Sequence, residues 1–373
     1  MASSQTIPRN IRRIRISRGL SQEAVAGKAG VSRNAYRSIE TGRSEPRVSS
    51  LQGIARALGV SLPELLAEPP GLSSVRFRCG KARTGKVRTK REEIVVNVAR
   101  WLKDFNGLEE LLGRKRPFAL GEAAGRIAAL SARDRAIKAA ATARQALGLA
   151  DDEPIRSVCG LLESAGVKVQ TAALDVEDVF GLSVAAGDGG PAIVVNVRQD
   201  ISVERRIFTA AHELGHLLLH PGAYDVTRIG EDEGEEREAN LFASHFLMPE
   251  GVFGSEWRDT CGLPFLDRVL HVKRIFRVSY QTVLRRLGES GQADPSKVWM
   301  IFKAQWKRRS GQALRKRDEP VALAEVDFLE DRLSRLVREA LEAERITLSR
   351  GAEILGLNLD AMRDVVASWE VAA

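Results

Sequence analysis

The segment His212-Glu213-Leu214-Gly215-His216 constrains this chain more than any other stretch, because its residues cooperate only on a helix. There, residues i and i+4 share a face one turn apart, so both imidazoles can reach one tetrahedral ion. Glu213 lies beside them, where a carboxylate can take a proton from an attacking water. Two imidazoles leave such an ion short of a third protein ligand. A second predicted helix, containing Glu236-Arg237-Glu238-Ala239-Asn240, offers one in Glu236, with Glu238 as the rival. Glu236 leaves Asn240 one turn later on the same face, able to hold a ligand histidine from behind. The pattern implies metal-assisted hydrolysis with one coordination position open. Three of the five histidines, His212, His216 and His220, fall on one helical face, and His220 reads better as a C-terminal cap than as a ligand.

Charge separates the chain into unlike parts. Residues 1–91 hold 19 Lys/Arg against 5 Asp/Glu, or +14, so a total of +8 leaves −6 for the rest. A basic front joined to a mildly acidic body predicts that only the front meets a polyanion. Cys79, Cys159 and Cys261 are widely spaced and form no CxxC pair, which fits a reducing compartment. The first residues lack the layout of a signal peptide, and no apolar run approaches the ~18 residues that span a bilayer. The expectation is a cytoplasmic protein with no membrane partner, nucleoid-associated when bound to DNA.

Residues 7–67 read as short helices with sharp turns. Ser21 and Ser32 are N-cap candidates, Gly30 a left-handed stop between them, and Pro69-Pro70-Gly71 closes the unit. Residues 76–91 carry Arg76, Arg78, Lys81, Arg83, Lys86, Arg88, Lys90 and Arg91 without an acid, and read as an arm or linker. Helical periodicity follows over 92–112, 120–147 and 154–165. Strands are predicted near 167–170, 180–184 and 192–196, then helices over 203–219, 235–247 and two within 264–288. An acidic loop through Glu231 joins the two helices that carry the histidines and Glu236. A basic, poorly patterned stretch at 303–317 leads to a helical tail over 321–371.

The front carries its own chemistry. Gln22 opens the first of two helices, Gly30-Val31-Ser32 makes the turn, and the second helix runs from Arg33 to Glu40. With Ile39 and part of Tyr36 inward, Arg33, Asn34, Arg37 and Ser38 are left to face a major groove, with Ser32 at the helix start. Arginine suits guanine edges and asparagine adenine edges, while Gln22 and Arg43 are placed for phosphates. The strings Arg-Gly-Leu-Ser-Gln-Glu (18–23), Ala-Gly-Val-Ser (29–32), Ile-Glu-Thr-Gly-Arg (39–43) and Ile-Ala-Arg-Ala-Leu-Gly-Val-Ser (54–61) closely resemble the XRE family of phage-repressor-like DNA-binding domains. The resemblance implies a double-stranded DNA operator and a homodimer.

The run from Phe208 to His220, together with Glu236–Ser244 and Leu247-Met248-Pro249-Glu250, resembles the ImmA/IrrE family of metallopeptidases over about residues 150–290. That resemblance implies Zn2+ on His212, His216 and Glu236, with Glu213 as general base. It also implies an XRE-type repressor or antitoxin protein as substrate, in a phage, mobile-element, stress-response or toxin–antitoxin setting. His245 stands where an acidic residue is common in that family. Tyr224 and His245 are candidate oxyanion stabilisers, and a substrate strand is expected beside Ala192–Asn196.

The expected fold is mainly α with a small β-sheet. An all-α helix-turn-helix domain (1–70) precedes a basic linker and helical connector (71–149), an α+β zincin-like peptidase domain (150–290) and a helical C-terminal region (291–373). Set against the enzyme is a platform reading, in which the zincin-like domain senses or binds without cutting.

Overall fold

The structure, a computed structural model, describes residues 6–17, 20–66, 72, 75–79, 85–131, 134–176, 179–224, 232–291, 294–315 and 317–371. The expected Pro69-Pro70-Gly71 stop, Lys81, Arg83 and the loop through Glu231 lie outside the described residues. The chain forms two compact units, Met1–Gly71 with Arg91–Arg100 and Leu72–Lys90 with Trp101–Ala373.

The first unit contains α1 (Thr6–Ser17), α2 (Gln22–Ala29), α3 (Arg33–Glu40), α4 (Val48–Leu58) and α5 (Leu62–Leu66). Ser21 accepts from the Ala24 N–H and Ser32 from the Ala35 N–H, so each caps the helix that follows it. Gly30, at φ 68°, ends α2 in the left-handed region that glycine enters without strain. Helices α2 and α4 cross closely at Gly53, where a Cβ would stand 2.5 Å from the Ala29 carbonyl oxygen. Ile11, Ile14, Val25, Ile39, Leu51, Ile54 and Leu58 form the core, and Tyr36 is wholly buried rather than partly exposed as expected.

The second unit begins with β1 (Val75–Cys79), part of the expected basic arm. It continues through α6 (Gly85–Leu112, of which Arg91–Arg100 belongs to the first unit), α7 (Gly121–Ala128), α8 (Arg135–Ala146) and α9 (Val158–Ser164). Next come β2 (Lys168–Ala172), β3 (Val179–Val184), β4 (Ala192–Asn196), α10 (Val203–Leu219) and α11 (Glu233–Leu247). The chain closes with α12 (Glu250–Asp259), α13 (Phe265–Phe276), α14 (Tyr280–Glu289), α15 (Pro295–Ser310), α16 (Arg332–Glu342), α17 (Leu348–Leu355) and α18 (Leu359–Val371). The fold is therefore mainly α with one small sheet.

Strand order is β1-β3-β4-β2, with β2 parallel to β4 and the other pairs antiparallel. This corrects two expectations. The start of the basic arm is a sheet strand, because Val75, Phe77 and Cys79 alternate with Arg76 and Arg78 at the strand period. And β4 cannot receive a substrate strand, because β3 and β2 already occupy its two sides. The sheet's neighbour along the core is α10, whose face carries Ile207, Ala210, Ala211, Leu214 and Leu218 into the same apolar cluster as Ile193 and Val195.

Two further regions depart from expectation. The stretch 303–317 is helical as far as Ser310 in α15, with Asp294 as side-chain N-cap and Val298 and Phe302 buried. Beyond it, the expected tail helix starts only at Arg332. Buried ion pairs fix this C-terminal part to the unit: Lys273 reaches Glu204 at 2.8 Å and Glu319 at 3.0 Å, and Arg332 bonds Glu109, which also pairs with Lys168.

Candidate metal centre and nucleic-acid interface

Two glycines let the elements of the centre close up. On α10, a Cβ at Gly215 would stand 2.9 Å from the Phe242 ring of α11, so this glycine sets the approach of the helix that bears Glu236. On β3, a Cβ at Gly181 would meet the Thr209 methyl at 2.7 Å and the Val194 carbonyl oxygen at 2.9 Å. The bare backbone there brings β3 down onto α10. Ser202 caps the start of α10 by accepting from the Arg205 N–H, and Asp232 caps α11.

In this frame His212, His216 and Glu236 converge, all their donor atoms within 4.8 Å of one another. The two Nε2 atoms are 2.9 Å apart. Glu236 Oε2 stands 3.2 Å from His212 Nε2, and Oε1 3.1 Å from His216 Nε2. Ligands about 2.0–2.1 Å from a tetrahedral zinc stand roughly 3.3 Å from each other, so these spacings fit one such ion. The donor chemistry, two imidazoles and one carboxylate, fits as well.

The far ring nitrogens support the same arrangement. His212 Nδ1 donates to Asn240 Oδ1 at 3.1 Å, which leaves its Nε2 lone pair facing the cluster. His216 Nδ1 lies 3.0 Å from His220 Nδ1, and His220 Nε2 lies 2.8 Å from Glu238 Oε2. A proton on His220 Nε2 bonds Glu238, His220 Nδ1 then accepts from His216 Nδ1–H, and His216 Nε2 is left as a donor to an ion. Burial pushes His216 down to about 4 and His220 below its ordinary range, so both rings are neutral at pH 7. By sequence, Glu238 is a rival ligand and His220 a partly positive cap. The structure places His220 at the end of α10, bonded to Glu238, where burial lowers its pKa.

Glu213 is fully buried, and Ser183 of β3 donates to its Oε2 at 2.6 Å. Tyr224 in turn donates to Ser183 Oγ at 2.9 Å. The structure thus ties Tyr224 to the Ser183–Glu213 chain. His245 is not brought to the cluster: its Nε2 accepts from Arg286 Nη1 at 2.7 Å, and burial together with that cation lowers its pKa to about 4. The ring-nitrogen partner of this expected oxyanion stabiliser is therefore Arg286.

Arg76 was missed as a member of the centre. Its side chain, 6% exposed, reaches Glu235 Oε2 at 2.6 Å and Glu236 Oε1 at 3.1 Å from β1. Lys90, another residue of the expected arm, pairs with Asp175 at 2.6 Å. These two cations of the arm are committed within the unit.

On the first unit, Ser32, Arg33, Asn34, Arg37 and Arg43 are exposed and Ser38 is half-buried. Arg33 stands 3.8 Å from Glu23, a loose surface pair. Gln22, expected to meet a phosphate, donates through its Nε2 to Glu40 Oε1 at 2.8 Å. Arg15 binds the same carboxylate through Nε at 2.7 Å and Nη2 at 2.9 Å. Burial alone would raise the Glu40 carboxyl, but the bonds from Arg15 and Gln22 outweigh it and hold the pKa below the ordinary value. This network pins the end of α3 to α1 and the start of α2.

Residues 11–65 match the helix-turn-helix family model, and residues 162–288 match the IrrE N-terminal-like domain of the M78 peptidases. Over 57 residues the chain is 44% identical to an HTH-type transcriptional regulator of Sinorhizobium fredii, covering 15% of this chain and 74% of that protein. The chain belongs to the helix-turn-helix transcriptional regulators. It carries the IrrE-like domain, with its metallopeptidase-like fold, in the same polypeptide. A second relative is the transcriptional repressor of the cryptic phage CTXphi of Vibrio cholerae, 36% identical over 58 residues, which are 16% of this regulator and 52% of the repressor. Apo ComR from S. thermophilus aligns over 95% of this regulator and 99% of its own chain at 12% identity, with a TM-score of 0.17 that carries no weight for the fold. The helix-turn-helix match implies DNA binding. Among the described residues, no helix is long and apolar enough to cross a membrane.

Proposed function

We propose that this regulator binds a DNA operator through α3 and uses its IrrE-like unit as a zinc-dependent endopeptidase that cuts a repressor-type protein. The observation that carries the enzymatic part is the convergence of buried His212 and His216 with half-buried Glu236, beside the buried carboxylate of Glu213. His212, His216 and Glu236 would hold the ion. When bound, it supplies Lewis acidity at water and at the carbonyl of the bond to be cut. Glu213 accepts the proton of the attacking water and passes it to the leaving amine. Ser183 and Tyr224 hold that carboxylate in place, and Asn240 and the His220–Glu238 pair fix the two imidazole tautomers.

On the DNA side, Arg33, Asn34, Arg37 and Ser38 would meet base edges, with Arg43 and the Ser32 end of α3 on phosphates. The relative named as a transcriptional repressor supports an operator as partner, and the XRE resemblance implies that the operator is double-stranded and the chain a homodimer. The proposed division is a DNA-reading part (1–70) and a peptidase part (150–290) completed by β1 from the 71–149 stretch, with a tail (291–373) of unassigned role, in a cytoplasmic, nucleoid-associated location. The test incubates helix-turn-helix repressors and antitoxins of the host with the zinc-loaded chain and with its Glu213→Gln variant, reading new termini by mass spectrometry. A cut made by the first and absent with the second supports the enzyme. Equal cutting by both, or none of any candidate, favours the platform.

A further inference from the structure

The edge of the sheet above the centre is filled by the chain itself. β1 pairs antiparallel with β3, placing Arg76 opposite Ser183, the residue that donates to Glu213. An extended segment laid on β3 therefore crosses the carboxylate proposed as the base. β1 is five residues long, pairs on one side only among the described residues, and breaks register between Arg78 and Cys79. Its second residue places a buried guanidinium between Glu235 and Glu236. Two carboxylates and an arginine at these distances make a charge-assisted recognition contact, which lysine or a neutral residue does not reproduce with the same geometry.

We propose that the outer edge of β3 is the peptide-binding edge of this site and that Glu235 and Glu236 select an arginine on the strand bound there. Val75–Cys79 is its in-chain occupant, which an incoming extended segment of the same kind displaces. The inference rests on the proposed function in taking the centre as the reacting one. The main-chain ladder supplies affinity without sequence preference, and the acidic pair supplies the preference. Occupancy by β1 lowers the apparent affinity for any competing strand in proportion to the fraction of chains left open.

The test uses the full chain carrying Glu213→Gln, so that binding is read without hydrolysis, and a fluorescent nine-residue peptide with the sequence of residues 73–81 and serine for its cysteine. Adding Arg76→Glu, which repels Glu235 and Glu236, should tighten peptide binding at least about tenfold by removing the occupant. It should speed amide exchange at Val75–Cys79 about as much while α10 and β4 keep their protection. Arg76→Gln, a gentler change, should move both readouts the same way by a smaller factor. A peptide with glutamate at its first arginine should bind at least about tenfold more weakly, a difference of about 1.4 kcal/mol. Equal binding to the Arg76 and Arg76→Gln chains, or equal binding of the arginine and glutamate peptides, overturns the proposal. Should binding behave as stated while the Glu213 chain cuts no repressor, the hydrolytic reading fails and the edge assignment stands. If repressor is cut while binding ignores both arginines, the edge assignment fails alone.

Discussion

One unit offers its functional residues at the surface, whereas the other keeps most of its own inside. In the first, the residues offered to DNA lie on the exposed face of α3 and the turn after it, within a short run of sequence, and the core behind them is apolar. In the second, the functional groups are buried on β1, β3 and α10 and half-buried on α11, so the site is assembled by the packing of all four. A surface reader tolerates substitution without losing its fold. A buried centre couples chemistry to packing, because each group stripped of water needs a partner.

That contrast predicts unequal consequences for mutation. Glu213→Gln should cut the rate of repressor cleavage by about 10²–10⁴-fold with zinc content unchanged, measured by product quantification and metal analysis on the same sample. Cleavage at the wild-type rate would break the assignment of the base. Asn240→Ala and His220→Ala should each weaken zinc affinity about 10–100-fold in competition with a chelator, leaving operator binding intact.

A pH effect of about 2–3 kcal/mol is expected from His245. Its pKa is lowered to about 4 from 6.5, so unfolding takes up a proton between these values. Stability should therefore fall as pH drops from 6.5 towards 4 and level off below. Denaturant melts of the second unit should show that slope, reduced in His245→Gln; an identical slope in both would remove His245 as the cause. On the first unit, Arg37→Ala should cost about 1–3 kcal/mol of operator affinity at fixed salt without changing bound zinc. Ser32→Ala should cost only about 1 kcal/mol of stability, through the lost helix cap. Loss of zinc in either variant would show that the units are not separable in this way.

Legibility in the sequence follows the same division. The serine caps, Gly30 and the apolar spacing of α2–α4 are local signals, and the structure places those elements where the spacing puts them. The spacing of His212, His216, Glu236 and Asn240 was legible because each pair sits on one helix. Arg76 and Ser183 were not, since only tertiary pairing brings β1 and β3 to α10 and α11. A signal for β1 was nevertheless present in the alternation from Val75 to Cys79, hidden by counting the arginines as an arm. Helix α15 was obscured by its basic end (Lys303, Lys307, Arg308, Arg309), although Asp294-Pro295 is a good helix start and Val298 and Phe302 keep helical spacing.

Zinc per chain, measured on the purified full-length protein and on its His216→Ala and Glu213→Gln variants, tests the central claim most directly. The account predicts about one ion per chain in the wild type and in Glu213→Gln, and less than about a tenth of that in His216→Ala. Wild-type zinc content in His216→Ala would contradict it.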